Sequence, residues 1–160
     1  MVEINSPHKV ASSNIYEMEK KMSIKYKENG TFELKQLIEL YKNVGWTVYS
    51  DKPDKLFKAV KNSLFNIGAF DGEELIGLIR VVGDDASIIY IQDILVKEEY
   101  QRQGIGNYLL QSVLDKYKHI RQIVLMTDNT EKTKAFYKKN GMFTSCELEG
   151  VAFVKYNFEA

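Results

Sequence analysis

Gln101-Arg102-Gln103-Gly104-Ile105-Gly106 sets two glycines two residues apart beside an arginine, between the apolar run Ile94-Leu95-Val96 and the helix-like Asn107-Tyr108-Leu109-Leu110. Helices usually open on Ser, Thr, Asp or Asn. A helix entered through glycines leaves its first N–H groups uncovered at the positive end of the dipole, which suits an anion such as phosphate. Arg102 and Gln103 add side-chain donors of the right kind. The alternative is a tight strand-to-helix turn that uses glycine only for its backbone freedom. A second candidate is Asp93, set inside the apolar strand Tyr90-Ile91-Gln92-Asp93-Ile94, where a carboxylate is costly unless paired or functional. It is either a base or anchor for an amine, or a hydrogen-bonded buried residue holding a loop. Gln92 points to the opposite face of that strand and either orients a substrate or plays no part.

Other chemistries fit less well. No G-x-x-x-x-G-K-[ST] phosphate loop is present, and Leu109 stands where a dinucleotide fingerprint needs a third Gly or Ala. His8, His119 and Cys146 are scattered without ligand spacing, so no metal site is expected. Cys146 has no nearby histidine to activate it and is read as a small buried residue, and His119 as a surface residue at a helix end.

The elements that must carry these residues follow from periodicity. Ser23-Ile24-Lys25-Tyr26 alternates as a strand, and Leu34, Leu37, Ile38 and Tyr41 recur at helical spacing up to a C-terminal Gly45. Residues 45–50 are expected as a loop. A second helix follows Pro53, with Leu56, Phe57, Val60 and Leu64 on one face. Residues 65–70 and 75–82 flank Asp71-Gly72, a strong hairpin signal, and Gly83-Asp84-Asp85 leads into a third strand over 87–96. The glycine-entered helix carries Ile105, Leu109, Val113 and Leu114 and ends near Tyr117. Residues 122–126 then form a strand parallel to 87–96, a helix runs from Glu131 to Asn140-Gly141, and 151–158 supply a final strand.

The chain's 160 residues are enough for one domain with a proper core. Its 22 Lys+Arg cancel 22 Asp+Glu, so no global field draws it to nucleic acid or an acidic membrane surface. No apolar run approaches the ~18 residues of a membrane span. The single cysteine excludes an internal disulfide and fits a cytoplasmic location. Residues 1–21 lack the apolar core of a signal peptide and are read as an N-terminal extension, native or appended, ahead of a domain over 22–160.

Two motifs carry a family resemblance. Gln101, Gly104 and Gly106 match Gln/Arg-x-x-Gly-x-Gly/Ala, the coenzyme A loop of the GNAT superfamily of N-acetyltransferases. Asn129, Ala135-Phe136-Tyr137 and Asn140-Gly141-Met142 resemble the family's N-x-x-A-x-x-F-Y-x-x-x-G-F, with one extra residue after Asn129 and Met142 in place of Phe. The resemblance covers roughly 22–160, and it implies a mixed α/β, mainly antiparallel sheet flanked by helices, splayed at a bulge into a V-shaped cleft. It implies acetyl-CoA as co-substrate. Its pyrophosphate would lie on the loop from Gln101 to Gly106, Ile105 included, and its pantetheine on the backbone of Ile94, Leu95 and Val96, with Asn129, Phe136 and Tyr137 completing the coenzyme site. An N–H near Leu95 would hold the thioester oxygen, and Tyr137 would protonate the departing thiolate unless it serves only in packing. Trp46 and Tyr49 would border the acceptor, with Gln92, or else pack in the core. The implied reaction is acetyl transfer to a primary amine, on a small molecule or a protein, by direct attack in a ternary complex, with the chain a monomer or homodimer. The Gly45–Tyr49 stretch further resembles small members related to plant serotonin N-acetyltransferase. The competing reading is a noncatalytic acyl-CoA sensor or interaction module.

Overall fold

The computed structural model describes residues 24–158; the first 23 residues, including the proposed extension and Ser23, lie outside them. The described chain forms two compact units that meet in sequence between Met126 and Thr127.

The first unit is built on a five-stranded sheet in the order β1 (Ile24–Glu28), β2 (Phe65–Asp71), β3 (Glu74–Gly83), β4 (Ile88–Val96), β5 (Gln122–Val124). The first four strands are antiparallel neighbours and β5 joins β4 in parallel. The expected mixed, mainly antiparallel sheet is therefore present. The Asp71-Gly72 hairpin forms with Gly72 in the left-handed region at φ 58°, as that turn requires.

Helices cover both faces. On one face lie α1 (Leu34–Asn43) and α3 (Pro53–Lys61), whose Leu37, Leu40, Tyr41, Leu56 and Val60 are buried with the sheet residues Leu78 and Leu95. On the other lies α4 (Ile105–Lys116): a Cβ added at Gly77, the strand neighbour of Leu78, would sit 3.5 Å from Ile105. Between α1 and α3 the expected loop contains a one-turn helix, α2 (Thr47–Ser50). The Trp46 carbonyl accepts from the N–H groups of Tyr49 and Ser50, and that of Thr47 from Asp51, so local hydrogen bonds close a turn that composition alone did not indicate.

The β3–β4 register carries the main irregularity. Arg80 pairs with Asp93, but the next residue, Val81, pairs with Ile91, so Gln92 is an extra residue on β4. This bulge reverses the alternation. Asp93 and Leu95 face α1 and α3, whereas Ile91 follows Val81 onto the α4 face. Beyond it β4 stays paired with β3 as far as Val96 but has lost its partner on the opposite side. Parallel pairing with β5 covers only Ile88, Ile89 and Tyr90, so residues 91–96 have, among the described residues, no strand on that side.

In the second unit α5 (Glu131–Lys139) starts on Thr130, whose hydroxyl accepts the Thr133 N–H at 3.2 Å, and ends at Gly141 (φ 80°). Residues 151–157 form no strand, in contrast to expectation. A strand needs a partner backbone, and Phe153 and Tyr156 stand largely exposed. Cys146 is exposed rather than buried. Its turn (Ser145–Leu148) is held by a polar capping box between Thr144 and Glu147, with no buried residue. No helix among the described residues is long and apolar enough to cross a membrane.

Candidate active site

The loop that follows β4 is fixed at both ends by its own side chains. Gln101 Nε2–H donates to the Val96 carbonyl at 3.0 Å and Gln103 Nε2–H to that of Glu99 at 3.0 Å. Both glutamines thus brace the loop, and Arg102 is the exposed side chain left to meet an anion. Arg102 itself lies at φ 61°, a left-handed conformation uncommon for a residue with a Cβ. Gly104 (φ 89°) is the N-cap of α4 and supplies no side-chain cap, so the helix start stays open. A Cβ at Gly104 would meet nothing within 4 Å, so its conformation, rather than any protein contact, calls for glycine here, and the space beside it is clear.

The strand that leads into this loop ends in a stretch paired on one side only. Ile94 and Val96 are half-buried and Leu95 is buried, while the β5 side of their backbone is free of any described strand. A free strand edge that runs into an uncapped helix N-terminus can accept an extended amide chain and, at its end, an anion.

Asp93 is enclosed. Its Oδ2 accepts from Arg80 Nε–H at 2.5 Å and from the Tyr41 hydroxyl at 2.6 Å, while its Oδ1 is buried without a partner. Arg80 also donates to the Ala59 carbonyl at 3.3 Å. Burial alone would lower the Arg80 guanidinium, but Asp93 and Tyr41 together more than offset this and hold it above its ordinary value. Tyr41 is pushed far up, first by burial and then by the Asp93 charge. Sequence reasoning singled out Asp93 and missed Arg80, although a lone arginine inside Leu75–Val82 is the same kind of signal.

Above this group sits an aromatic cluster. Tyr41 lies 6.2 Å from Trp46 and 5.7 Å from Tyr49, and those two rings are 5.9 Å apart. Trp46 and Tyr49 are each 36% exposed, so they present ring surface to solvent rather than filling the core. Gln92, in the bulge, is half-buried.

In the second unit Tyr137 is half-buried, its ring 5.0 Å from that of Phe136 in an edge-to-face contact. Burial raises its phenol and the Asp128 charge adds to this, while a hydrogen bond from Thr127 acts the other way. Asn129 is exposed. Among the described residues no group of three or more His, Cys, Asp or Glu is placed to hold a metal ion.

The chain belongs to the GNAT family of acetyltransferases: that family's model matches residues 31–142. An uncharacterized N-acetyltransferase of the ycf52-like kind from Prochlorococcus marinus is 33% identical over 118 residues, which are 69% of this chain and 63% of that protein. The chain therefore spans less than two thirds of that relative's length. A GNAT-family acetyltransferase structure from Streptococcus pneumoniae is 34% identical with TM-score 0.75, covering 84% of this chain and 98% of that one. A metagenomic aminoglycoside acetyltransferase solved with sisomicin shares the fold at 18% identity and TM-score 0.61, over 86% and 98% of the two chains.

Proposed function

We propose that this chain transfers an acetyl group from acetyl-CoA to a primary amine by direct attack in a ternary complex. The observation that carries the reading is the continuity of the free β4 edge with the glycine-opened start of α4. Pantetheine is a chain of amides, and it would add to Ile94, Leu95 and Val96 as a short strand. Its pyrophosphate would then reach the N–H groups of Gly104, Ile105 and Gly106, with Arg102 beside it. Asn129 and Phe136 would join the coenzyme residues, as the resemblance of their motif to the family's implies.

In this reading the neutral amine attacks the thioester carbonyl while an N–H near Leu95 bonds to the oxygen as charge develops on it. The C–S bond then breaks, the thiolate takes the proton of the Tyr137 hydroxyl, and the amine's proton returns to that oxygen through water. A phenol raised by burial stays protonated until it is needed, which supports the donor role. Asp93 is too enclosed to touch an incoming amine. Its bonds to Arg80 and Tyr41 support a positioning role beneath the Trp46 and Tyr49 rings, which with Gln92 would face the acceptor. The exposed rings favour a cationic or flat acceptor.

Coenzyme A release over a panel of arylalkylamines, polyamines, aminoglycosides, amino acids and lysine peptides tests the reading. Turnover on any class is the expected result. Tight acetyl-CoA binding with no turnover on all of them would overturn it in favour of an acyl-CoA sensor.

A further inference from the structure

The last turn of α1 is fastened to the coenzyme half of the site at two points. The first is buried and fixed: the Tyr41 hydroxyl on Asp93 of β4. The second is at the surface. The side-chain amide of Asn43 accepts the Glu98 N–H on Oδ1 at 2.8 Å and donates from Nδ2 to Glu99 Oε2 at 3.1 Å, so one residue grips two successive positions of the 3-10 turn Glu98–Tyr100. The Glu99 carbonyl in turn accepts from Gln103, the residue before Gly104.

On its other side Asn43 is joined rigidly to the aromatic cluster. Gly45 (φ 77°) ends α1 with its N–H on the Lys42 carbonyl at 3.0 Å, and the Trp46 N–H reaches the Tyr41 carbonyl at 2.9 Å. This crossed pair is a Schellman motif. It sets Trp46 relative to the helix turn that carries Asn43. A continuous path therefore runs from Gly104 through Gln103, Glu99 and Asn43 to Trp46.

We propose that Asn43 is a positioning residue that transmits occupancy of the coenzyme loop to the Trp46 and Tyr49 rings. The inference rests on the coenzyme reading above. Glu99 gives it a physical basis: its carboxyl is held below the usual range by its own backbone N–H and by Asn43, so it is an anion near neutral pH. An arriving pyrophosphate repels it, which makes binding sensitive to the arrangement of the Asn43–Glu99 contact, as a ligand must be if it is to shift an equilibrium. Hydrogen bonds at the surface are individually weak and readily exchanged. The buried Tyr41–Asp93 bond meanwhile acts as the pivot.

Trp46 is the chain's single tryptophan, so its emission reports on this turn directly. The experiment titrates the protein with coenzyme A, following heat and tryptophan fluorescence together, with Trp46→Phe as the blank. In the unaltered protein the emission change should track the calorimetric isotherm. In Asn43→Ala the affinity should stay within about threefold, while the emission change falls to less than half. Glu99→Gln keeps an oxygen to accept from Asn43 but removes the charge that the pyrophosphate repels, so it should lose most of the change, as should Glu99→Ala, which provides a second test should Asn43→Ala fold poorly. Binding without an emission change in the unaltered protein, or a full change in both Asn43→Ala and Glu99→Ala, overturns the coupling and leaves the coenzyme site standing. Absence of binding in the unaltered protein overturns the coenzyme reading and this inference with it.

Discussion

Arg80 and Asp93 are direct cross-strand partners on β3 and β4, joined at 2.5 Å with side chains only 6% and 0% exposed. The same Asp93 oxygen receives the Tyr41 hydroxyl. One carboxylate thus ties the sheet to α1 and, through Arg80 and Ala59, to α3. A buried pair of this kind need not stabilise relative to a well-packed apolar pair, but breaking it leaves a charge uncompensated.

Asp93→Asn should therefore destabilise the protein by about 3–5 kcal/mol, measured by urea unfolding, because Arg80 keeps its charge without a counter-charge. Turnover per folded molecule should fall much less than stability does, since the residue positions rather than reacts. Near-complete loss of turnover in a variant that unfolds at the normal urea concentration would reverse this assignment and restore Asp93 as base or amine anchor.

Gly106 gives the cleaner test of the coenzyme loop. It lies within α4 and has no positive φ, whereas Gly104→Val would add roughly 1–2 kcal/mol of left-handed strain to any steric effect. Gly106→Val should weaken coenzyme A binding at least about tenfold by placing a branched side chain where the pyrophosphate must approach. Melting temperature should change little. Calorimetry that finds unchanged affinity in the folded variant would show that the loop serves only as a turn.

Much of this framework was legible from local chemistry. Asp71-Gly72 predicts its hairpin, Gly45 and Gly141 predict their helix ends, and the missing side-chain cap at Gly104 is visible as two bare glycines. What was not legible depends on partners far along the chain. The bulge at Gln92 decides which face Asp93 takes, and it exists only in the pairing of β4 with β3. Asn43 looks like an ordinary helix-end residue until Glu98 and Glu99, more than fifty positions on, lie beside it. For residues 151–157 the expected strand does not form, because no backbone partner is present among the described residues.

Glu147 makes an acid-range prediction. Its carboxyl is lowered to about 2, first by the Lys138 ammonium at 2.7 Å and then by the Thr144 N–H and hydroxyl. A depressed folded value means that this contribution to stability is full above the ordinary 4.5 and is lost as pH falls through about 2. An NMR titration of the Glu147 side chain should give a midpoint near 2, and Lys138→Met should move it up toward 4.5. An unaltered protein that titrates near 4.5 would mean the capping turn does not hold in solution.

Tyr137 carries the most direct claim about the chemistry. Tyr137→Phe deletes one hydroxyl and keeps the ring against Phe136, so the helix around it should be unaffected. A general acid contributes roughly 10²–10⁴-fold, and kcat should fall by that order while coenzyme A affinity stays nearly constant. The pH profile separates this from a packing effect. Burial and then Asp128 hold the phenol above its ordinary value of 10, so any decline in kcat from its ionisation belongs to the alkaline limb beyond that point. The Thr127 hydrogen bond pulls the phenol down, so Thr127→Val should shift that limb to higher pH, and Tyr137→Phe should abolish it. If Tyr137→Phe keeps most of its kcat and the alkaline limb persists, the proton comes from another donor and Tyr137 is a packing residue.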